Sequence, residues 1–600
     1  MILVSTLLLL GMFLALYGAY QVSTSLDTAT TRYSKDATSG FYSAEAGLNL
    51  RAEQIRGIFV GFNRPTGAAP SPTSPCSGGN NGTGDYACSS LDLNSRSVTS
   101  YVEEDPANPL LITIPRGERY QNLTAQEYRY TARSNARDTQ GDTEAQLELR
   151  FKTRLVPLFQ FAAFYNKDLE ILPSPLMTLS GPVHTNGNLY LYSASSRLDI
   201  SGQITSAGTI FRGRKDGSQA ATCNNNPVRV MDPLAWRSLV PTCPSRVAVT
   251  DAQLTPFNSM IQQRVQSLVV PGPEVFDSQA GSVYWDHADL RLALRMSGPP
   301  NAEVISGVEV RNIYNTSDVA ATTQLLGCTG SISGRAVGGT QTMRNQREQR
   351  WISMLDIDML ALLNCLRSTN WFGTGKTLAD DTDGGLVFHF TVKGANSGSL
   401  NGYGIRIRNG ARLYSSLGGA PAVRGMTIIS DQAGYLIGNF NSVSKIPAAI
   451  MTDSLNVLSS AWNDANSNLA IASRVATDTT INAAFLSGTD STGGAVGSGT
   501  AANFVANESG GGTGGNYNGG LENYPRFHEN WSGRTLLYRG SFVSLGWPLH
   551  VNGAWSRQSY NPPNRDWNYD VSFNNAANLP PITPRFVYLK QELFVRDFEQ

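Results

Sequence analysis

Three clusters of basic residues have spacing suited to chemistry in this 600-residue chain. Arg406 and Arg408 stand two apart in GIRIRNGAR, hence on one face of a strand, and Arg412 follows the Asn409-Gly410 turn. Arg212, Arg214 and Lys215 crowd into FRGRKDG, and Arg344, Arg347 and Arg350 into MRNQREQRW. Cations gathered in this way suit phosphate contacts, which supply most sequence-independent affinity for DNA. Trp351 and Tyr414 could stack on the bases of a single strand. The competing reading of each cluster is a solvated surface, because the chain has no basic excess: 47 Lys plus Arg balance 47 Asp plus Glu.

Acidic turns suggest a second chemistry. Asp380, Asp381 and Asp383 in LADDTDGG, and Asn463, Asp464 and Asn466 in WNDANSN, carry oxygens of the kind that bind calcium. Asp381, Asp383 and Asp464 are the calcium candidates, although neither segment completes a DxDxDG-x5-E loop. The five histidines, His184, His287, His389, His528 and His550, lack metal spacing and read as structural. The run Asn370 to Thr377 ends like a phosphate loop, but Asn370 stands where the first glycine is required. No GxSxG elbow occurs. Apart from calcium no cofactor is expected, and no enzymatic activity.

The six cysteines fall in neighbouring couples, Cys76 with Cys88, Cys223 with Cys243, and Cys328 with Cys365. None forms a CxxC pair, which disfavours zinc and favours local disulfides in an oxidising compartment. Six cysteines allow fifteen connectivities, of which sequential pairing is the simplest.

The elements that must carry these groups begin with a helix. Residues 1–22 hold an uncharged segment long enough to cross a bilayer, without the basic n-region of a cleaved signal peptide. The first proline is Pro65, and Val22, Leu26, Ala29, Tyr33, Ala37, Phe41, Ala44, Leu48, Ala52 and Ile55 recur every three or four residues. That rhythm predicts one continuous helix whose second half, 23–60, is amphipathic. Within 61–164, a cysteine loop precedes three alternating runs at 109–115, 127–133 and 144–154, which read as an antiparallel sheet with one packed face.

Over 165–580 the texture changes to short apolar runs separated by Gly and Asn, as in LMTLSGPVHTNGNLYLYSASSRLDISGQITSAGTIF. The fold class is therefore α+β, with a large all-β insertion read as a β-solenoid or β-helix. A β-sandwich is the rival reading. Helical spacing over 249–270 and 351–366 suggests excursions from the β structure. A membrane-tethered carbohydrate-active enzyme would use such a scaffold by aligning carboxylates along one cleft.

The segment Phe41 to Leu48 (FYSAEAGL) resembles the signature that ends the helix in PilX-type minor type IV pilins. GPVHTNGNLYL, NFNSVSKIPAAIMTDSLNVLSSAWND, TINAAFLSG and the run Gly519 to Asp570 are similar to blocks of large PilX-like proteins. The resemblance implies a pilin fold with a β-solenoid inserted in its sheet, closed by a returning strand within 581–600. It implies that Met1, Ser5 and Glu45 serve assembly, and that either the chain starts at its mature end or a short basic leader precedes it. Major pilins carry glutamate where this chain has Ser5, and a subunit with nothing above it can dispense with that charge, so the tip is the expected address. The implied location is the inner membrane, then the extracellular pilus. The implied partners are other pilins, double-stranded DNA taken up in natural transformation, and a tip adhesin. The alternatives are an adhesive tip pilin that primes assembly and a type II secretion tip pseudopilin.

Overall fold

A computed structural model describes residues 2–59, 63–173, 175–194, 196–215, 227–232, 234–240, 246–300, 302–398, 400–489, 519–551 and 560–597. The chain divides into two compact units. One comprises Met1–Ile112, Ala125–Leu155 and Val587–Gln600, and the other Thr113–Thr124 and Val156–Phe586. The sequence boundaries at 164/165 and 580/581 thus move by several residues. Residues 113–124, expected in the first sheet, group with the second unit. Tyr120 is the reason: its ring meets Phe161 and Phe586, and its N–H donates to Gln203 Oε1 at 3.0 Å.

The first unit is a helix on a sheet. Helix Ile2–Ile58 runs for 57 residues, roughly 85 Å at 1.5 Å per residue. Its buried positions are Gly40, Ser43, Ala44, Gly47, Leu48, Arg51, Ala52 and Ile55, one stripe at three- and four-residue intervals. The sheet carries strands in the order Ser89–Leu93, Arg96–Glu104, Thr124–Arg137, Thr143–Pro157, Arg585–Asp597, and Leu110–Thr113 also pairs with Thr124–Arg137. Leu48 and Ile55 pack among Val98, Tyr130, Leu147, Phe151 and Val587, each such side chain contributing about 1.5–3 kcal/mol on burial. Alternation drives the strands: along Thr124–Arg137, Tyr130, Ala132, Ser134 and Ala136 are buried and the residues between them half-buried.

In the second unit successive short strands visit three sheets in turn. Ala163–Tyr165, Leu169–Ile171 and Met177–Leu179 are followed by Val183–Thr185, Leu189–Leu191 and Leu198–Ile200, then by Ile204–Ser206, Ile210–Arg212 and Val228–Met231. Each pairs in parallel with its predecessor, Val183 lying opposite Ala163 and Ile204, and Leu189 opposite Leu169 and Ile210. Met426–Ser430, Ala448–Thr452, Ala484–Ser487 and Phe542–Ser544 extend the first of these sheets, which holds twelve strands. A further sheet aligns Arg350–Asp358, Tyr403–Arg408, Ala433–Ile437 and Leu455–Leu458 in parallel. Parallel ladders of this extent differ from the antiparallel pairing of a sandwich. Corner glycines allow the stacking: a Cβ on Gly202 would lie 2.1 Å from the Gly181 carbonyl carbon.

Two helix expectations fail in part. Residues 249–270 hold only the short turns Asp251–Leu254 and Thr255–Phe257 before strand Ile261–Gln263. Residues 351–358 belong to strand Arg350–Asp358, and the helix is confined to Met359–Ser368, N-capped by Asp358, which accepts from Ala361 N–H at 3.1 Å. The last seven residues of that strand are buried. Burial on both faces erases the alternation that would have marked it as a strand.

Candidate functional site

The N-terminal helix has two halves with different surroundings. Beyond Gly40 it lies on its sheet. Before that, its large apolar side chains from Ile2 to Leu26 are exposed, Leu8 at 69% and Phe13 at 66%. It is long and apolar enough to cross a membrane, with a mean hydropathy of 2.2 over its most apolar window. Ser5 Oγ donates to the Ile2 carbonyl at 2.8 Å, so its hydroxyl is satisfied within the helix. Glu45 is half-buried on the packed half, whereas Met1 lies outside the described residues.

The strongest basic candidate is inside the protein. Arg406 is 5% exposed and donates through Nη1 to both Asp464 oxygens, at 2.9 and 2.8 Å, and through Nη2 to Asp356 Oδ2 at 2.5 Å. Burial disfavours its charge, but the hydrogen bonds and field of the two carboxylates outweigh that and raise its pKa. Arg408 shares Asp356 Oδ2 at 2.5 Å and stays half-buried. The shared strand face therefore turns its cations toward carboxylates of the same chain, which withdraws Arg406 from phosphate. Arg412 caps the Tyr414 ring at 4.9 Å.

The other two clusters divide in the same way. Arg212 is 2% exposed, and its guanidinium donates to the carbonyls of Leu191 at 2.7 Å and Leu239 at 3.2 Å, burial lowering its pKa to about 10. Lys215 is buried 3.1 Å from Asp168 Oδ2, and Arg214 lies over Tyr192 at 5.8 Å. Arg347 is buried, whereas Arg344, bonded to Gln349 Oε1 at 3.2 Å, and Arg350 are half-exposed. A buried cation is withdrawn from phosphate, and Arg406, Arg212, Lys215 and Arg347 are all buried.

Two of the three calcium candidates, Asp464 and Asp383, are engaged with other side chains. Both oxygens of Asp464 accept from Arg406, and Trp462 Nε1 donates to one of them at 2.8 Å. Asp383 Oδ2 faces His287 Nδ1 at 3.1 Å, and Asp381 is exposed. No cluster of three or more potential ligand side chains gathers among the described residues. The lysine of the loop resembling a phosphate site, Lys376, is held by Asp289 and by Asp380 Oδ2, the latter at 3.0 Å. Cys76 bonds Cys88 and Cys328 bonds Cys365, while the expected pair Cys223 and Cys243 lies outside the described residues.

Two arrangements escape sequence reading because they join distant segments. Arg51, 7% exposed, donates from the helix to the carbonyls of Asp85 at 2.7 Å and Ala87 at 3.1 Å, clamping the loop closed by Cys76 and Cys88. The second is a polar cleft of about 400 Å³ whose walls include Glu303, Glu348, Arg350, Trp351, Asn401 and Tyr403. Trp351 is the signal a sequence reader has, an aromatic beginning a strand next to charge. Glu303 and Tyr403, a hundred residues apart, gave none.

No known family model matches the chain, and no curated protein matches it. Among solved structures it is similar to the competence-associated pilin ComZ from Thermus thermophilus, at 11% identity and a TM-score of 0.27, with 94% of this chain and 98% of that chain covered.

Proposed function

We propose that this chain is a large minor type IV pilin, held in the inner membrane by the first half of its N-terminal helix and then packed through that half into a pilus fibre. The observation that carries the reading is the division of one continuous helix into an exposed apolar half and a half seated on an antiparallel sheet. An unbroken helix of this kind can move from lipid to a bundle of like helices without refolding. Ser5 in place of a carboxylate favours the tip, where no subunit above needs a charge partner. The parallel ladders of the second unit read as coils of a β-solenoid, and double-stranded DNA captured for natural transformation is the ligand that the sequence resemblance favours. The half-buried cations Arg214, Arg344, Arg350, Arg408 and Arg412 are the residues left for that contact.

Gel shifts with the full chain in detergent, repeated across salt concentrations, test the DNA half of the proposal. Binding should weaken steeply with salt and lose slope when Arg344 and Arg412 become alanine. Salt-insensitive or absent binding removes the DNA reading and leaves the stem untouched. Immunogold labelling along sheared pili tests the stem, and labelled tips are expected. An adhesive tip pilin is the second reading, favoured by the polar cleft.

A further inference from the structure

Strand Arg585–Asp597, thirteen residues long, ends the sheet of the first unit, and among the described strands it neighbours only Thr143–Pro157. Successive residues of an antiparallel strand turn their N–H and C=O groups to opposite sides, so half of its backbone groups point away from that neighbour. No described strand takes them. The opposite edge of the sheet, Ser89–Leu93, is five residues long, and shortness is one way in which proteins blunt a sheet edge. Arg585–Asp597 is not blunted in that way, and residues 591–595 are exposed without a break. Leu593, Phe594 and Val595 are 43%, 42% and 38% exposed. Phe594 meets Phe41 of the helix at 6.0 Å, and next to Phe41 the Tyr42 ring is exposed as well. A long edge strand with apolar residues in the open is a template for another strand.

The order of residues along this edge says which strand fits. From Tyr588 to Phe594 the chain reads YLKQELF, with a charge, a leucine and an aromatic residue on each side of Gln591 and the two charges of opposite sign. When the strand runs antiparallel to a second copy with Gln591 opposite Gln591, Lys590 of each copy falls opposite Glu592 of the other. Leu589 then lies opposite Leu593, and Tyr588 opposite Phe594. Opposite charges and apolar or aromatic pairs are the cross-strand combinations that stabilise a ladder. Moving the centre by one residue sets Glu592 against Glu592 or Lys590 against Lys590, so the same charges fix the register. Charges on an edge ordinarily repel foreign strands, whereas this pair admits its own. Glu592 already accepts from Lys152 Nζ at 2.5 Å within its own sheet, and a carboxylate has lone pairs for a second cation.

We infer that this edge pairs with a second copy of the chain, antiparallel about Gln591. The inference does not depend on the pilin reading. The two-fold axis of such a ladder stands perpendicular to the sheet and makes the contact isologous. The long helix lies on that sheet, so the axis reverses it, and the apolar halves of the two helices leave the pair in opposite directions. Two copies anchored side by side in one bilayer cannot form this contact. It joins copies carried on separate membranes or assemblies.

The test is cross-linking and sedimentation of the full chain in detergent micelles. At the centre of an antiparallel ladder the paired Cα atoms lie about 4.5–5.5 Å apart, within reach of a disulfide. Gln591→Cys should therefore give a covalent dimer under mild oxidation, reversed by reductant, whereas Gln140→Cys, at an exposed turn of the same unit, should not. Lys590→Glu should weaken dimerisation by about tenfold or more, because it turns two attractive pairs into repulsive ones. Glu592→Lys should do the same. Mixed in equal amounts, the two variants regain complementary charges and should pair with each other better than either pairs with itself, a rescue that damage to the fold cannot produce. Failure of Gln591→Cys to cross-link overturns the inference. Dimerisation that Lys590→Glu and Glu592→Lys leave unchanged overturns it too, as does a mixture that pairs no better than its components. A Gln591→Cys link to a different protein in intact cells would give the edge another occupant and overturn it as well.

Discussion

Arg406 Nη1 donates to both carboxylate oxygens of Asp464, at 2.9 and 2.8 Å, with the guanidinium almost wholly enclosed. A third bond ties the same arginine to Asp356 across the neighbouring parallel strand. Removing one member strands the others in a medium that cannot solvate them. Arg406→Ala should therefore cost about 3–5 kcal/mol, read as a lower denaturation midpoint of the full chain. Arg412→Ala, at a half-exposed position, should change stability by less than about 0.5 kcal/mol. Equal losses for the two would contradict the burial assigned to Arg406.

Glycines on the stem helix give opposite expectations according to what faces them. A Cβ on Gly47 would lie 2.6 Å from Ser134 Oγ and 2.8 Å from Val98 Cγ1, whereas nothing among the described residues approaches within 4 Å of one on Gly57. Alanine in a helix interior gains about 1 kcal/mol over glycine, while overpacking costs about 1–3 kcal/mol. Gly57→Ala, in the last turn of the helix where the interior gain is only partly realised, should stabilise by less than about 1 kcal/mol, and Gly47→Ala should be neutral to destabilising by about 2 kcal/mol. Thermal unfolding of both variants checks the contrast.

What the sequence made legible follows periodicity. The stripe through Ala44, Leu48, Ala52 and Ile55 marked the packed half of the helix, because a helix half-covered by a sheet must alternate with period 3.6. Residues 128–137 and 143–150 alternate for the same reason with period two, whereas 151–156 are buried without a break. The parallel strands were harder, since Leu189–Leu191 and Ile204–Ser206 are buried on both faces and carry no alternation. The candidate site was least legible. GIRIR gave the strand face of Arg406 correctly, but nothing local announces Asp464, 58 residues on, or Asp356, 50 residues back. Charge counts in a sequence cannot separate a cation facing water from one facing a distant carboxylate.

The disulfide between Cys328 and Cys365 closes a loop with a sequence separation of 37. By loop-closure entropy alone, such a cross-link stabilises by about 4 kcal/mol. The double variant Cys328→Ser with Cys365→Ser should lower the denaturation midpoint accordingly, and the wild type in reductant should approach the variant. The Cys76–Cys88 bridge, with a separation of 12, should contribute about 3 kcal/mol by the same reasoning.

Glu529 sets a pH dependence with a definite sign. It is 1% exposed, accepting from Ser459 N–H at 2.6 Å and from Ser459 Oγ at 2.7 Å, and burial raises its pKa to about 7. A carboxyl whose folded pKa exceeds its unfolded one holds its proton more tightly in the folded state. Its stabilisation is then complete below the unfolded pKa, about 4.3, and is lost as pH rises through about 7. His184, buried with its pKa lowered to about 4, runs the other way: its contribution is present above about 6.5 and lost as pH falls through about 4. The wild-type curve mixes both, so the informative quantity is its difference from Glu529→Gln. The two proteins should have similar stability near pH 5, and the glutamine variant should gain on the order of 3 kcal/mol relative to wild type by pH 8. Chemical denaturation at both pH values measures this, and a difference that does not change with pH would place the folded pKa of Glu529 in the ordinary carboxyl range.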